Sequence, residues 1–206
     1  MSDQPRPSGE PQSTEQPVFY YDVSSPYAYL AASRIDEVLP SRPEWRPIAF
    51  GVIVQRIGKV PWSFREDREE NFGEIARRAS ERGLPEVRYP QGWPAETYSL
   101  TPLRALLLAR DQDELRAFTR ELYRTMFVDG RHLADEEAVL EAAEWAGIDR
   151  ATIADGVTSQ EVKDRLRQQT DAAHSVGVTG VPTVAVGEQL FWGDDRLEDA
   201  AAALSR

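Results

Sequence analysis

Residues 18–30 read VFYYDVSSPYAYL, and this segment predicts the two elements around which the fold is organised. Its first four residues are β-branched or aromatic, a composition typical of a short buried strand. Apolar residues then recur at spacings of four, four and three, which predicts a helix directly after the strand. They are Tyr27, Ala31, Ile35 and Val38.

A serine stands at the junction between this strand and this helix, and two roles fit it. Ser25 occupies the expected N-cap position, and Pro26 follows in the first turn, where proline is tolerated. Ser25 can simply cap the helix. Alternatively, its hydroxyl can donate a hydrogen bond to an anion held at the helix amino end, where unpaired N–H groups stabilise negative charge. This segment alone leaves both roles open.

A second stretch near the carboxyl end carries two further motifs. Residues 177–183 read GVTGVPT and residues 191–197 read FWGDDRL. Together with DVSSPYAYL at residues 22–30, they resemble the 2-hydroxychromene-2-carboxylate isomerase family, which is similar to kappa-class glutathione transferases and DsbA-type thioredoxins. The family patterns are Asp-x-x-Ser-Pro-Tyr/Phe-x-Tyr/Trp-Leu, Gly-Val-x-Gly-Val-Pro-Thr and Phe/Trp-Trp/Phe-Gly-x-Asp-Arg-Leu.

This resemblance implies an α/β, thioredoxin-like fold of the DsbA type with an inserted all-helical domain. The thioredoxin-like domain is expected over residues 17–50 and 177–206, with part of the helix at 158–176. The helical insertion is expected over 51–157. Residues 1–16 are rich in Pro, Gln, Ser and Glu, and they hold too little apolar surface to offset the entropy of ordering. We therefore expect a disordered tail there.

The middle of the chain gives a coarser prediction. A second strand is expected over residues 45–50, and a loop over 51–68, where glycine and proline interrupt the pattern. Helical periodicity dominates from Phe72 onward, with expected N-terminal caps that include Asp113 and Thr158. Two strands and a final helix should close the chain.

Composition excludes several classes of function. The net charge of −11 argues against a nucleic-acid partner, because affinity for phosphates comes from clustered Lys and Arg. No apolar run approaches the roughly 20 residues that span a membrane, and no signal peptide is apparent, so we expect a cytoplasmic protein. His132 and His174 stand apart from other ligand types, and we expect no metal.

The absence of cysteine excludes one chemistry of the resembling proteins. DsbA-type enzymes place Cys-Pro-x-Cys at the first helix, where this chain has SPYA at residues 25–28. Disulfide exchange needs a thiolate nucleophile, and the chain has zero cysteines. Dithiol redox activity is therefore excluded.

The resemblance also implies a thiol site. In the isomerase and kappa-transferase families the serine at position 25 hydrogen-bonds the thiolate of bound glutathione. The backbone of Val181, before an expected cis Pro182, pairs with the extended thiol peptide. Asp195 and Arg196 match the pair that grips the γ-glutamyl group, although a surface ion pair is their simpler role.

Two features of the expected site stay open. The family commonly brings a basic residue from the region after the second strand, and Lys59 is our candidate, with Arg56 and Arg65 as alternatives. Three aromatic residues in the middle of the chain either line a substrate pocket or pack in the insertion core, and we favour the core. They are Tyr89, Trp93 and Tyr98.

The resemblance implies an enzyme, a glutathione-dependent cis-trans isomerase acting on a 2-hydroxychromene-2-carboxylate-like aromatic acid. Another low-molecular-weight thiol can stand in for glutathione in this scheme. A kappa-like glutathione transferase or peroxidase, and a non-catalytic module that binds thiols or peptides, are the alternatives. The expected partners are the small-molecule substrate and the thiol, with a homodimer possible.

Overall fold

The computed structural model describes residues 16–205, in which four strands form one mixed sheet in the order β2-β1-β3-β4. The strands are β1 (Val18–Tyr21), β2 (Glu44–Pro47), β3 (Thr183–Val186) and β4 (Gln189–Trp192). β1 runs parallel to β2 and antiparallel to β3, and β3 pairs antiparallel with β4. The chain therefore begins the sheet at an inner strand, adds β2 at one edge, and comes back to form β3 and β4 only after residue 182.

The strand predicted at the start of the chain is confirmed, and it lies at the centre of the core. Phe19 pairs in register with Trp45 of β2 and Val184 of β3. The Phe19 and Trp45 rings meet edge-on with centroids 5.1 Å apart, and both side chains are buried. These side chains bury large apolar areas, which is the main stabilising contribution of such residues.

The single helix predicted after β1 is two helices, α1 (Pro26–Ala32) and α2 (Ile35–Val38). Between them the Ser33 hydroxyl donates to the Leu30 carbonyl at 2.8 Å. Such a side-chain bond competes with the backbone ladder of the helix. The apolar spacing continues across this break, which is why periodicity alone predicts one element.

The second strand is shorter than predicted, and a helix replaces part of the predicted loop. β2 ends at Pro47, which has no N–H to donate to the sheet. Helix α3 (Phe50–Ile57) follows and ends at Gly58, whose φ of 65° suits glycine. The Phe50 N–H donates to the Asp22 carboxylate, so a residue far away in sequence supports the start of this helix.

Six further helices lie between α3 and β3, and one follows β4. They are α4 (Arg68–Glu81), α5 (Leu100–Leu106), α6 (Gln112–Phe127), α7 (Glu136–Trp145), α8 (Arg150–Gly156), α9 (Gln160–Ser175) and α10 (Leu197–Leu204). Short 3-10 turns occur at Trp62–Phe64 and Asp194–Arg196.

Two predicted caps are wrong by one or two positions. Asp111, and not Asp113, caps α6 by accepting from the backbone N–H of residues 113 and 114. Ser159, and not Thr158, caps α9. Asp, Ser and Thr all cap well, so neighbouring polar residues are equivalent in the sequence until the backbone selects one.

The described chain thus has a thioredoxin-like fold of the DsbA type, with helices inserted between two halves of the sheet. The insertion boundaries at residues 51–157 remain a prediction. The predicted tail lies outside the described residues except for Gln16, whose amide donates to the Arg42 carbonyl at 3.2 Å. Within residues 16–205 no helix is both long and apolar enough to cross a membrane.

Candidate functional site

A cleft of about 680 Å³ opens beside the start of α1, with α3, α4 and the loop before β3 as its other walls. The cleft brings together residues from both motif regions of the sequence and from the insertion. The predicted site residues that line it are Ser25, Lys59, Val181, Pro182 and Asp195. Arg196 is not among the lining residues, and it pairs with Asp199 at 2.5 Å.

Ser25 caps α1, as the sequence predicts, and its proton remains available. Its Oγ accepts from the backbone N–H of Ala28 at 3.2 Å, and its own N–H donates to the Asp22 carbonyl at 3.1 Å. No acceptor for the Ser25 hydroxyl proton occurs among residues 16–205. The two roles considered for this serine are compatible, because the oxygen accepts from the cap while the proton can face the cleft.

The loop before β3 presents open backbone groups to the same cleft. The Val181–Pro182 peptide bond is cis, as the resemblance implies, and the Pro182 carbonyl accepts from Gly193 N–H at 2.9 Å. The N–H and C=O of Val181 have no hydrogen-bond partner in the described part of the chain. Unpaired backbone groups beside a cleft are available to an extended ligand.

Gly180 allows an indole ring to lie against this loop. A Cβ atom added at Gly180 would lie only 2.2 Å from Nε1 of Trp192, so a larger residue there would displace the ring. Trp192 lines the cleft and is 63% exposed. This close approach therefore explains the second glycine of the GVTGVPT motif, Gly180.

A buried carboxylate lies at the base of the cleft. Asp22 is 1% exposed, and its two oxygens accept from Ser24, from the Phe50 N–H and from the Ser99 hydroxyl. Burial raises the pKa of Asp22 above its ordinary value, although these hydrogen bonds oppose the rise. In the sequence Asp22 appears only as a motif residue, and its partners from three segments are not apparent there.

A charged cluster forms the wall next to Asp195. Asp194 is fully buried, with Oδ1 2.5 Å from Arg78 and Oδ2 2.6 Å from Arg82. Arg78 also lies 2.5 Å from Glu74 and 3.7 Å from Asp195. The sequence interpretation missed Asp194, Arg78 and Arg82, and the only sequence signal was the spacing of four between the two arginines, of which Arg82 directly follows α4.

Tyr27 connects this cluster to the serine-bearing helix. Its hydroxyl donates to Glu74 at 2.8 Å and accepts from Asn71 at 2.9 Å. Burial is the main cause that raises the Tyr27 pKa to about 12, so the phenol stays protonated at neutral pH. The hydrogen bonds from Tyr27 and Arg78 outweigh partial burial and hold the pKa of Glu74 below its ordinary value.

Aromatic side chains form a wall that adjoins the cluster through Tyr27. Trp62 packs against Tyr27 and Trp93 with ring centroids 5.6 and 5.8 Å apart, and all three line the cleft. Trp93 therefore both lines the cleft and packs in the insertion. Tyr89 packs against Trp93 with tilted rings whose centroids are 4.7 Å apart, and it does not line the cleft; Tyr98 is exposed outside the cleft.

Two of the three candidate basic residues reach the cleft. Lys59 and Arg65 line it, and neither forms an ion pair with a described residue. Arg56 pairs with Asp171 at 2.6 Å and does not line the cleft. The cleft thus has unpaired cations on the loop after α3 and carboxylates on α4 and the turn after β4.

Comparison with known proteins identifies the class. The family model for the DSBA-like thioredoxin domain matches residues 18–205, and the chain belongs to this family. It is 27% identical over 186 residues to 2-hydroxychromene-2-carboxylate isomerase of Sphingobium xenophagum, covering 87% of this chain and 93% of that protein. It is 23% identical over 194 residues to glutathione S-transferase kappa 1 of Rattus norvegicus, covering 87% and 86%.

A solved structure of 2-hydroxychromene-2-carboxylate isomerase superposes on this chain with a TM-score of 0.81. The two share 22% sequence identity, and the match covers 93% of this chain and 95% of that one. At this identity the superposition demonstrates a shared fold. The two sequence relatives, one an isomerase and one a transferase, agree with the resemblance found from the motifs.

Proposed function

We propose that this protein is a glutathione-dependent isomerase of a 2-hydroxychromene-2-carboxylate-like aromatic acid. The observation that carries the proposal is the meeting of a free hydroxyl proton on Ser25 with the open backbone of Val181 in one cleft. A bound thiol supplies a nucleophile that adds to a conjugated double bond and later leaves, so that the bond can rotate in between. The chain itself supplies binding, orientation and stabilisation of charge.

The residues of the cleft fit a peptide-like thiol. The Val181 N–H and C=O can pair with an extended peptide in the manner of an added strand. Glutathione carries an ammonium group and two carboxylates, and the cleft offers Asp195 for the former and Lys59 for the latter. Arg196 points to Asp199, so we assign it no direct contact with the ligand.

Ser25 would hold the sulfur in its charged form. A hydrogen bond to an ionised acceptor is about twice as strong as one between neutral groups, so donation from Ser25 favours thiolate over thiol. The pKa of the bound thiol falls as a result. Because the thiol proton has already been lost to solvent, no base on the protein is needed to accept it during turnover.

The aromatic wall suits the second substrate. Trp62, Phe64 and Trp192 all line the cleft, which provides apolar contact for a planar ring. Arg65 can pair with a carboxylate of that substrate. Pockets that are mostly apolar with a few polar groups are typical for small molecules of this kind.

The first test combines Ser25→Ala with two assays. Removing a donor to a catalytic anion such as an oxyanion costs about 10²–10³ in kcat, and we expect a loss of that order in glutathione-dependent isomerisation of 2-hydroxychromene-2-carboxylate when the donor to the thiolate is removed. Ser205→Ala, an exposed serine at the end of α10, is the matched control and should retain wild-type rates. Equal turnover by the wild type and Ser25→Ala would remove Ser25 from the mechanism.

A second candidate function is a kappa-like transferase or peroxidase, which the kappa-class relative favours. It uses the same thiol site and differs in the acceptor of the sulfur. Conjugation of glutathione to a chromogenic electrophile and reduction of an organic hydroperoxide should be assayed beside the isomerisation. Binding of glutathione without turnover in any of these assays would leave the non-catalytic binding module.

A further inference from the structure

Asp22 is a buried carboxylate without a cation, and such a group is costly unless it is fully hydrogen-bonded. Among residues 16–205 no Lys, Arg or His forms an ion pair with it. Its partners are instead four neutral donors. A buried charge held only by neutral groups destabilises the fold relative to an apolar core, so its presence beside the cleft calls for a local role.

The four donors come from three separate segments that meet at the cleft. Oδ1 accepts from the backbone N–H of Ser24 at 2.9 Å and from its hydroxyl at 2.8 Å. Oδ2 accepts from the N–H of Phe50 at 3.0 Å and from the hydroxyl of Ser99 at 3.3 Å. Phe50 begins α3 and Ser99 precedes α5, so one carboxylate joins the serine turn to two helices of the insertion.

The main chain of Asp22 completes the arrangement. Its carbonyl accepts from the Ser25 N–H at 3.1 Å and from the Tyr123 hydroxyl at 3.3 Å. The turn that carries Ser25 is therefore held from both sides: its backbone by the Asp22 carbonyl, and the residue before it by the Asp22 side chain. The other hydrogen bonds of Ser25 run forward into α1, where its Oγ accepts from the Ala28 N–H and its carbonyl accepts from the Tyr29 N–H.

We propose that Asp22 is a positioning residue that acts through Ser25, holding the Ser24–Ser25 turn so that the Ser25 hydroxyl faces the bound thiolate. This inference rests on the proposed thiol-dependent function. Asp22→Asn keeps the size of the side chain but replaces one acceptor oxygen by an NH₂ group, which must face either the Ser24 or the Phe50 N–H. The hydrogen bond to either the Ser24 N–H or the Phe50 N–H is then lost.

The test is a double-mutant cycle on the glutathione-dependent rate. Asp22→Asn alone should lower kcat by roughly 10- to 100-fold through misplacement of the hydroxyl, with KM for the second substrate unchanged. In the Ser25→Ala background the same change should have no further effect beyond about twofold. Independent multiplication of the two losses would overturn the proposal, because a merely structural role does not depend on the Ser25 hydroxyl.

A buried hydrogen bond elsewhere supplies the control. Thr119→Val removes the 2.7 Å bond between Thr119 and the Tyr21 hydroxyl, which lies outside the cleft. The substitution should lower stability, and kcat should stay unchanged when it is made in the wild type or in Ser25→Ala. A fall in kcat of Thr119→Val equal to that of Asp22→Asn would count against a specific role for Asp22.

A second measurement separates failure of this inference from failure of the proposed function. Amide hydrogen exchange of the unliganded protein reports on the turn directly. Asp22→Asn should speed exchange over residues 23–28 and leave β3 and β4 protected, while Thr119→Val should not affect residues 23–28. If wild-type protein shows no glutathione-dependent activity, the function is wrong and this exchange result still decides the positioning. Unchanged exchange in Asp22→Asn would refute it.

Discussion

At the scale of single residues, Gly180 is the position where a small change should have a large effect. Gly180→Ala would force the Trp192 ring away from the loop, since the added atom would lie 2.2 Å from its Nε1. We expect weaker binding of glutathione and a shifted intrinsic fluorescence. Both can be measured in one titration.

Gly73→Ala is the matched control for that prediction. A Cβ atom at Gly73, within α4, would meet nothing within 4 Å, so the change should preserve glutathione binding. Alanine is favoured over glycine in a helix by about 0.5–1 kcal/mol, and Tm should rise slightly. If Gly180→Ala keeps the fluorescence and the glutathione binding of the wild type, the position of the Trp192 ring against this loop is not needed for binding.

The titration of Asp22 gives a prediction about pH and stability. Burial raises its pKa above the ordinary 3.8, so the folded protein binds the proton more tightly than the unfolded chain. The resulting stabilisation is fully present below pH 3.8 and is lost as the pH rises through the raised folded pKa. The free energy of unfolding, measured by urea and taken relative to Asp22→Asn, should therefore be largest at acidic pH. A difference that is independent of pH would contradict the shift.

At the scale of elements, the ion cluster between α4 and the turn Asp194–Arg196 should dominate how these two elements dock. Asp194→Ala leaves Arg78 and Arg82 without their buried partner. Breaking a buried pair in this way costs about 3–5 kcal/mol, which urea unfolding can measure. The neighbouring Asp195 should also shift, because it lies in the same turn, and glutathione should bind more weakly.

An exposed pair on the same helix is the control for this prediction. Arg77 and Glu81 lie 2.7 Å apart, and both side chains are more than half exposed. Glu81→Ala should therefore cost no more than about 0.5 kcal/mol. Similar losses for Glu81→Ala and Asp194→Ala would mean that burial of Asp194 contributes nothing.

At the scale of the whole molecule, the sheet and the insertion share one hydrophobic core. Tyr21 of β1 packs near Tyr123 of α6 with ring centroids 6.4 Å apart, and its hydroxyl hydrogen-bonds Thr119 of the same helix. Such sharing joins the two parts into one cooperative unit. We expect tryptophan fluorescence and far-ultraviolet circular dichroism to give coincident urea transitions. Two separated transitions would show that the insertion unfolds as a domain of its own.

The sequence alone determined the local features of this protein. β1, the Ser25 cap and the closing hairpin follow from short-range patterns, because strand composition, capping chemistry and glycine placement act within a few residues. The three motifs also predicted the fold and some of the residues that line the cleft, including Ser25, Val181 and Asp195.

Only the tertiary structure decided which distant groups meet. The contacts of Asp22 span 28 and 77 residues, and the pairing of Arg78 with Asp194 spans 116. No periodicity encodes such distances, since they depend on how packed elements bring their ends together. The start of α3 is decided in the same way, because the Phe50 N–H donates to Asp22, a partner that only folding brings near.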